Sequence, residues 1–310
     1  MPPVLPHPCP PMKHPFHSEN VASDSRAPHL SVEETSPAGA KMRSGLPAGR
    51  AALVIAHPGH ELRVFGWLET ARPVVCILTD GSGHTQQSRL PASTRILDAA
   101  GATPGSVYGA STDVAIYRAI LDHDYDFFTG LADNLAELLV RQQLDYIAGD
   151  AIEGYNPGHD VCRMIINTAV ATAHRVHQRK ISNYDFLLMG HPNDCPAELQ
   201  DQSYRLKLDD ATLERKLAAA RAYSEISPDV DSAFRLLGTE AFRTECLRSV
   251  RNPLTETRES GTGEIEEPPF YERHGERQVA AGFYRRVLRY RQHMLPLADA
   301  LRQHAERGGR

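Results

Sequence analysis

An α/β fold with a mostly parallel sheet and helices on both faces is predicted by alternating apolar runs and amphipathic stretches. Short runs rich in Val, Ile, Leu and Ala alternate with segments whose apolar residues recur at helical spacing. The runs are apolar throughout rather than at every second residue, which is typical of strands buried on both faces. A chain of 310 residues can bury such a core. In sheets of this kind, ligands bind beyond the carboxyl ends of the strands.

Five strand-like runs lie in the central part of the chain. Each is short, mainly apolar and followed by a turn signal. One of them, for example, ends in the turn sequence Asp80–Gly81. The predicted strands cover residues 51–56, 73–81, 106–111, 144–150 and 184–190.

The intervening segments are predicted to be helices because their apolar residues recur every three to four positions. In residues 127–143, four leucines form one stripe. Gly101 ends one predicted helix, and Asp209 and Asp210 cap the start of another. The predicted helices cover residues 61–71, 92–102, 127–143, 158–176 and 209–226.

Both ends of the chain differ from this pattern. Residues 1–45 are rich in Pro, His and polar residues and are predicted to form a disordered leader. Residues 46–250 are predicted to form the α/β domain. Residues 251–310 are predicted to add a polar loop and a helical extension, either one long helix or a pair interrupted near Pro296. The stretch Arg285–Arg291 is interpreted as the solvated face of this extension, which also offers a surface for a homo-oligomer.

Composition excludes several classes of function. The net charge is −5 and no dominant basic stripe is present, so nucleic-acid binding is not expected. The five cysteines are scattered without a C-x-x-C pair, which is typical of a reducing compartment. No apolar run is long enough to span a membrane, and no secretory signal is recognised at the N-terminus. The protein is therefore predicted to be cytoplasmic.

Three histidines follow predicted strands and are candidate metal ligands. His57 and His60 lie where the strand at 51–56 ends, and His159 lies after the strand at 144–150. Zinc accepts imidazole nitrogen, and three protein ligands with one open position are typical of a catalytic zinc site. A histidine at a strand end can equally be a hydrogen-bonded structural residue, and the spacing alone leaves both interpretations open.

Several segments resemble the PIG-L/LmbE-like zinc-dependent N-deacetylases. "AHPGHELRVFG" is similar to the AHPDDE signature of that family, and "VCILTDGSGH" is similar to its second strand and turn. "RLPASTRILDAAGA", "GYNPGHD", "LERKLAAARAYSEI" and "GTEAF" match later family segments in the right order, over roughly residues 51–250. The resemblance implies a Rossmann-like fold, one zinc ion per chain and removal of an acyl group from an amino sugar or a related small metabolite.

The sequence departs from the family pattern at the residues that carry the chemistry. In the family signature, the His and the second Asp bind zinc and the first Asp is the general base. His57 matches the first ligand, His60 replaces the second, and Gly59 replaces the base. His159 matches the third ligand, while Asn156 stands where the family has a His that stabilises the oxyanion. Asn156 can donate a hydrogen bond to an oxyanion but cannot shuttle a proton.

Another carboxylate would have to replace the missing base. Asp80 at the end of the second strand is the first candidate, followed by Glu153 and Asp150, which precede His159. Glu61 is interpreted instead as a structural carboxylate that holds a ligand histidine or a helix start. A zinc ion with three neutral ligands also holds a more acidic water, which partly offsets the loss of the base.

The predicted function is a zinc-dependent amide hydrolase with an altered general base. Arg89 and Arg95 are candidates for binding an anionic part of the substrate, and either can equally be a surface charge. Tyr155 is a candidate for covering the site or donating to the substrate, and an ordinary buried role fits it equally well. Three imidazoles would also suit Fe²⁺ or Ni²⁺. Two alternatives remain, namely a non-catalytic descendant that binds zinc or a sugar, and a metalloenzyme with different chemistry at the same site.

Overall fold

A mixed sheet of eight strands forms the centre of the protein in the computed structural model, which describes residues 42–83, 86–251 and 267–308. In chain order the strands are β1 (Arg43–Ser44), β2 (Ala51–Ile55), β3 (Val74–Thr79), β4 (Thr103–Ser111), β5 (Tyr146–Asp150), β6 (Ser182–Phe186), β7 (Tyr204–Lys207) and β8 (Thr244–Ser249). Their spatial order is β1-β7-β8-β6-β5-β2-β3-β4. Neighbours are parallel except where β8 pairs with β6 and β7. The predicted α/β fold with a mostly parallel sheet is confirmed.

Helices cover both faces of this sheet. In chain order they are α1 (Phe65–Ala71), α2 (Leu90–Ala100), α3 (Asp113–Leu121), α4 (Tyr125–Arg141), α5 (Pro157–His177), α6 (Asp210–Ala222), α7 (Ser227–Leu237), α8 (Phe270–Ala280) and α9 (Leu295–Arg307). Short 3-10 segments and one π-helix, Tyr290–Met294, lie between them. Val54 of β2 packs in the layer that contains α3, α4, α5 and α9, whereas Leu53 faces α1 and α2. Both side chains are fully buried, as expected of a strand covered on both faces.

The strand order reverses at β2. β3 and β4 extend the sheet on one side of β2, and β5 and β6 extend it on the other. The connection after β2 runs to one side of the sheet and the connection after β5 runs to the other. A crevice therefore lies between them at the carboxyl ends of these two strands. Open α/β sheets bind their ligands at this position.

The two antiparallel pairs were not predicted from the sequence. β7 alternates between half-buried and exposed residues, so it lacks the continuous apolar run that reveals the inner strands. α3 was also missed, and the strand expected at 106–111 begins three residues earlier, at Thr103. Thr112 accepts a hydrogen bond from the amide of Ala115, which is the N-terminal cap that starts α3.

The C-terminal extension differs from the expected long helix. The helical path ends at Ala280 and resumes only at Tyr290, so the break precedes the predicted one near Pro296. Pro296 is the second residue of α9, which continues directly from the π-helix, so it does not interrupt the helical path. Leu297 and Leu301 of α9 are buried in the same apolar core as α4 and α5.

The described part of the chain begins at Met42, within the segment predicted to be a leader. Met42 is buried, and Arg43–Ser44 pair with Tyr204 and Arg205 of β7. The rest of the predicted leader, residues 1–41, and most of the predicted polar loop, residues 252–266, lie outside the described residues.

Within the described ranges, no helix is both long and apolar enough to cross a membrane.

Candidate metal centre

His57, His60 and His159 meet in the crevice at the carboxyl ends of β2 and β5. His57 lies two residues beyond β2, and His60 opens a short 3-10 helix, His60–Val64. His159 lies in the first turn of α5, which Asn156 caps through a hydrogen bond from the Gly158 amide to its Oδ1 atom. The fold therefore brings together three side chains that are separated by up to about 100 positions in the sequence.

The three imidazole rings contact one another edge to face. The ring centroids lie 5.3 Å apart for His57 and His60, 5.2 Å for His57 and His159, and 4.6 Å for His60 and His159. Nε2 of His57 and Nδ1 of His159 are buried and have no hydrogen-bond partner among the described residues. Unpaired polar atoms in a protein interior are costly, so these two nitrogens are expected to bind a partner that does not belong to the described residues.

The distances between the three rings fit a shared metal ion, but the donor atoms are not arranged to coordinate one. Zinc holds imidazole nitrogens about 2.0 Å away in a tetrahedral array, which places the centroids of its ligand rings roughly 5 Å apart. Among the described residues, however, no group of three or more His, Cys, Asp or Glu side chains has its donors placed to hold a metal ion. Ligation would therefore require the rings to turn, since their spacing already fits.

Asp113 lies against His57 and was not identified from the sequence. Its Oδ1 atom is 2.9 Å from Nδ1 of His57, and its Oδ2 atom accepts a hydrogen bond from the Gly83 amide. Thr79 Oγ1 lies 2.9 Å from the same His57 nitrogen. Burial opposes ionisation of Asp113, but hydrogen bonds and the charge of His57 outweigh it and hold the pKa of this carboxyl below its ordinary value. With Nδ1 occupied, His57 presents Nε2 to the cluster.

Asp150 makes the corresponding contact with His60. The Asp150 oxygens lie 2.9 and 3.0 Å from Nδ1 of His60, and one of them also accepts a hydrogen bond from the Ala56 amide. Asp150 is fully buried, and burial raises the pKa of its carboxyl. A carboxylate that accepts the second ring N–H is the usual support of a metal-binding histidine, because it fixes the tautomer and the ring orientation.

A buried arginine, Arg163, holds the backbone of Asp150 in place. Arg163 donates to the Asp150 carbonyl at 2.6 Å, to Asn183 Oδ1 at 2.8 Å and to the Tyr184 carbonyl at 3.0 Å. Its side chain is fully buried. The guanidinium therefore links the carboxyl end of β5, which carries Asp150, to β6 through hydrogen bonds.

The turn between the first two histidines depends on glycine. Gly59 has φ +108°, a backbone conformation that side chains with a Cβ rarely adopt. A Cβ atom at this position would lie 3.1 Å from Ile226 Cδ1 and 3.7 Å from Tyr223 Cζ. A side chain at position 59 would therefore point towards the segment between α6 and α7 and would meet Ile226.

Glu61 holds this turn in place. Its carboxylate accepts hydrogen bonds from the Gly59 amide, at 2.7 Å, and from the Ser93 hydroxyl. Ser93 Oγ also lies 3.2 Å from the hydroxyl of Tyr223, which donates to the Arg89 carbonyl. Glu61 is fully buried, and burial raises its pKa. The structure gives this carboxylate a position consistent with the structural role expected from the sequence.

The pKa values of two of the three histidines favour neutral rings. Burial is the main cause that lowers the pKa of His60 well below its ordinary value, followed by the charge of His57. Burial and the charge of His60 lower the pKa of His159 in the same way. Neutral imidazole is the form that can bind a metal ion.

The other two candidate bases have hydrogen bonds elsewhere. Asp80 Oδ1 accepts from both the amide and the hydroxyl of Ser82, in the turn after β3. Thr79 faces His57, and its neighbour Asp80 continues the strand ladder with a hydrogen bond to the Ser111 carbonyl. The pleat therefore directs the Asp80 side chain away from the Thr79 side. Glu153 accepts hydrogen bonds from the amides of residues 188–190 and holds the loop after β6.

The structure gives contacts for the three residues expected to act on the substrate, namely Asn156, Tyr155 and Arg89. Asn156 receives a second hydrogen bond on Oδ1 from the Tyr117 hydroxyl, which leaves its Nδ2 group as a donor without a partner in the described chain. Tyr155 stacks on Phe270 of α8 with ring centroids 4.8 Å apart. Arg89 donates from Nε to the Gly81 carbonyl at 2.7 Å, and its charge contributes to the lowered pKa values of His60 and His159.

Comparison with known proteins identifies structural neighbours only. No family model and no curated protein matches this chain. The zinc-inhibited form of teicoplanin deacetylase Orf2 is 11% identical with a TM-score of 0.45. A triple mutant of a deacetylase from the teicoplanin pathway is 12% identical with a TM-score of 0.42, and a deacetylase–bog complex is 14% identical with a TM-score of 0.44. Each match covers 65% of this chain and 98% of the other. A likeness of this size carries no argument about activity, which has to come from this chain's own residues.

Proposed function

We propose that this protein is a zinc-dependent hydrolase that removes an acyl group from the amide nitrogen of an amino sugar or a related small metabolite. One observation carries the proposal, namely the cluster of His57, His60 and His159 at the point where the strand order reverses. Its ring spacing suits a metal ion, and two of its buried nitrogens lack a partner among the described residues.

Each residue of the site has a distinct part in this proposal. His57, His60 and His159 hold one zinc ion, with Asp113 and Asp150 orienting the first two rings. A bound zinc ion would polarise the substrate carbonyl and acidify a water molecule. Asn156 offers its free Nδ2 donor to the carbonyl oxygen as negative charge develops there.

The proton acceptor is assigned by elimination among the carboxylates. Asp150 and Glu153 have both oxygens engaged by His60 or by backbone amides. Asp80 keeps one oxygen outside the hydrogen bonds of its turn, so it remains the candidate, although its turn must open to bring that oxygen to the substrate. In this proposal, Arg89 and Tyr155 contact the substrate.

A non-catalytic, metal-binding or sugar-binding role is the second candidate. It is favoured by the hydrogen bonds of Glu61, Asp113 and Asp150, because each of these carboxylates holds a loop or a ring and none is free to accept a proton. A metalloenzyme that needs no carboxylate base is the remaining variant of this alternative.

Metal content tests the proposal first. Elemental mass spectrometry of the purified protein is expected to give about one zinc ion per chain, and His60→Ala and His159→Ala are expected to lose most of it. His174→Ala, which removes an exposed histidine from α5, serves as the matched control and keeps the metal. Absence of metal from the wild type, even after zinc is supplied, would refute the hydrolase.

Activity then separates the two candidates. The zinc-loaded protein is screened for free amine and acetate released from N-acetylated amino sugars. Release that Asp80→Asn abolishes without loss of zinc supports the hydrolase and its base. Bound zinc without any release, combined with saturable sugar binding, supports the non-catalytic alternative.

A further inference from the structure

A cavity of about 380 Å³ lies between the corner that joins α3 to α4 and the segment that joins α8 to α9. Its polar lining consists of Arg285, Arg286, Arg289, Gln292, His123 and His293, and the remaining lining is aliphatic. Among the described residues, no carboxylate lines it. A cavity of this size and charge fits a small anionic ligand.

The arginines do not form the solvated helix face that the sequence suggested. Residues 281–289 follow an irregular path between two helices, and this path turns three guanidinium groups towards one cavity. Convergence of cationic groups from a non-helical segment is the arrangement by which proteins surround an anion.

Ion pairs outside the cavity hold two of the arginines. Arg286 contacts Asp122 at 2.7 Å, and Arg289 contacts Glu272 at 2.9 Å and Glu276 at 2.7 Å. Each guanidinium carries five N–H donors, so these pairs fix the side chains and leave donors for a ligand. Arg285 has no ion pair or hydrogen bond within the described part of the chain, and its charge is uncompensated there.

Two stacked histidines form the opposite wall. The rings of His123 and His293 lie 5.3 Å apart and are inclined by 18°. Nδ1 of the buried His293 lies 2.9 Å from the Arg289 amide and 3.1 Å from the Arg289 carbonyl. In the tautomer whose Nδ1 accepts from the amide, and in the protonated ring, Nε2 carries a proton.

Two uncommon backbone features place these rings. His123 has φ +56°, in the left-handed region, at the corner between α3 and α4. His293 lies in the π-helix Tyr290–Met294, a rare element that is frequently found at functional sites. Both features bring an imidazole to the same cavity.

We propose that this cavity binds the phosphate group of a small phosphorylated metabolite. A phosphate monoester carries a charge of about −1.5 to −2 near pH 7 and three acceptor oxygens. Its oxygens can accept from Arg285, from the free donors of Arg289 and from His293 in the forms that carry a proton on Nε2, and its charge is larger than the single charge of a carboxylate. The volume beyond the phosphate holds the rest of the metabolite.

This site is separate from the histidine cluster. α3 connects them, since Asp113 at its first residue contacts His57 and Leu121 at its last lines the cavity. A helix of this length spans about 13 Å. The proposal therefore does not depend on zinc or on amide hydrolysis.

Calorimetric titration of the metal-free protein tests the proposal. The protein is stripped on a chelating resin and titrated with glucose 6-phosphate, with inorganic phosphate and with glucose. Saturable binding of glucose 6-phosphate, weaker binding of inorganic phosphate and none of glucose are expected. Arg285→Gln is expected to weaken binding about tenfold, because it removes a charge-assisted hydrogen bond.

Two further variants test whether binding depends on the residues that line the cavity. Arg291→Gln removes the same charge from an exposed residue of the π-helix that does not line the cavity, and it is expected to bind as the wild type does. His123→Asn removes the stacked ring while Asn tolerates the left-handed backbone, and it is expected to weaken binding. Absence of saturable binding, or equal loss in Arg285→Gln and Arg291→Gln, would overturn the proposal. Equal affinities for inorganic phosphate and the ester would overturn the assignment of a metabolite.

Discussion

The Nδ1 atom of His60 lies 2.9 Å from a carboxylate oxygen of Asp150, a fully buried residue at the end of the neighbouring strand. The same carboxylate accepts a hydrogen bond from the Ala56 amide at 2.8 Å, just before the turn that carries the first two histidines. Asp150 therefore joins β5 to the end of β2 and orients the ring of His60. This contact explains why an imidazole at position 60 is held in a defined orientation.

Asp150→Asn is expected to weaken zinc binding about 10- to 100-fold, since supporting carboxylates of metal ligands have effects of this size. Asn offers one acceptor oxygen where Asp offers two, so either the Ala56 amide or the His60 ring loses its acceptor. The free energy of unfolding should also fall by about 1–3 kcal/mol. Competition with a chromophoric chelator measures the affinity, and urea unfolding measures the stability.

Asp231→Asn is the control for this change, because Asp231 is exposed and has no hydrogen bond among the described residues. It should bind zinc as the wild type does. If Asp150→Asn also bound zinc with wild-type affinity, His60 would not need this carboxylate and its assignment as a ligand would lose its support.

Gly59→Asp places a carboxylate between Pro58 and His60 but is not expected to supply a base. The positive φ of this residue costs any side chain roughly 1–3 kcal/mol, and its Cβ atom would press on Ile226. We expect a lower free energy of unfolding and no gain in hydrolysis. Urea unfolding and amine release measure the two effects.

Gly238→Ala separates backbone strain from the contact with Ile226. Gly238 also has a positive φ, of 74°, but no atom lies within 4 Å of the position of its Cβ. Gly59→Ala should therefore destabilise the protein more than Gly238→Ala does, and Ile226→Ala should recover part of the difference. A Gly59→Asp variant as stable as the wild type and faster in hydrolysis would contradict this account.

The sequence allowed the three histidines to be singled out because each lies in the segment that follows a buried strand. The apolar runs of β2 and β5 mark where those strands end, and parallel strands bring their carboxyl ends to one edge of the sheet. The residues identified from this pattern, His57, His60 and His159, do lie together.

Asp113 could not be found in the same way, because its place beside His57 depends on the order of the strands. β4 lies two strands away from β2, and only the path of the chain into α3 brings the carboxylate back to the centre. The sequence Thr112–Asp113 before apolar residues is a helix-start signal that could have revealed α3, but not its contact. The contacts of Glu153 could not be predicted for a related reason, since its amide partners belong to a loop more than thirty positions away.

The outer strands escaped prediction because their burial is partial. β7 lies between β1 and β8 near one edge, and its alternate residues are exposed, so no continuous apolar run identifies it. Pro296 was misread because proline in a helical sequence predicts a break, whereas here α9 follows directly on the π-helix and the helical path continues through Pro296.

Glu61→Gln tests the hydrogen bonds that hold the turn at Gly59. The Glu61 carboxylate accepts from both the Gly59 amide and the Ser93 hydroxyl, whereas a Gln side chain has one acceptor and one donor group. One buried donor therefore loses its partner, and the free energy of unfolding should fall by about 1–3 kcal/mol. Zinc affinity should fall as well, because the turn positions His57 and His60.

A double-mutant cycle with Ser93→Ala isolates this interaction. Combining Glu61→Gln with Ser93→Ala should cost less than the sum of the two single changes, since both remove the same hydrogen bond. Additive losses in urea unfolding would show that Glu61 and Ser93 act independently, against the contact described here.

The histidine cluster should make the metal-free protein sensitive to acid. Burial lowers the pKa of His60 and His159 well below 6.5, whereas both regain ordinary values near 6.5 on unfolding. Between these values the unfolded chain binds more protons than the folded one, so stability falls as the pH falls through 6.5. Each histidine contributes up to about 1.4 kcal/mol per pH unit. The raised pKa values of Glu61 and Asp150 act in the opposite direction, because the folded state then keeps its protons.

A comparison of variants isolates the contribution of the two histidines. The difference in unfolding free energy between the wild type and His60→Gln/His159→Gln is measured in urea from pH 8 to pH 5. Below pH 6.5 we expect the unfolding free energy of the wild type to fall more than that of the variant. We also expect zinc to stabilise the wild type less in this range, because protonated imidazole cannot bind it. A difference that stays constant over this range would mean that the two rings keep ordinary pKa values in the folded protein and are not the desolvated, neutral ligands that the cluster requires.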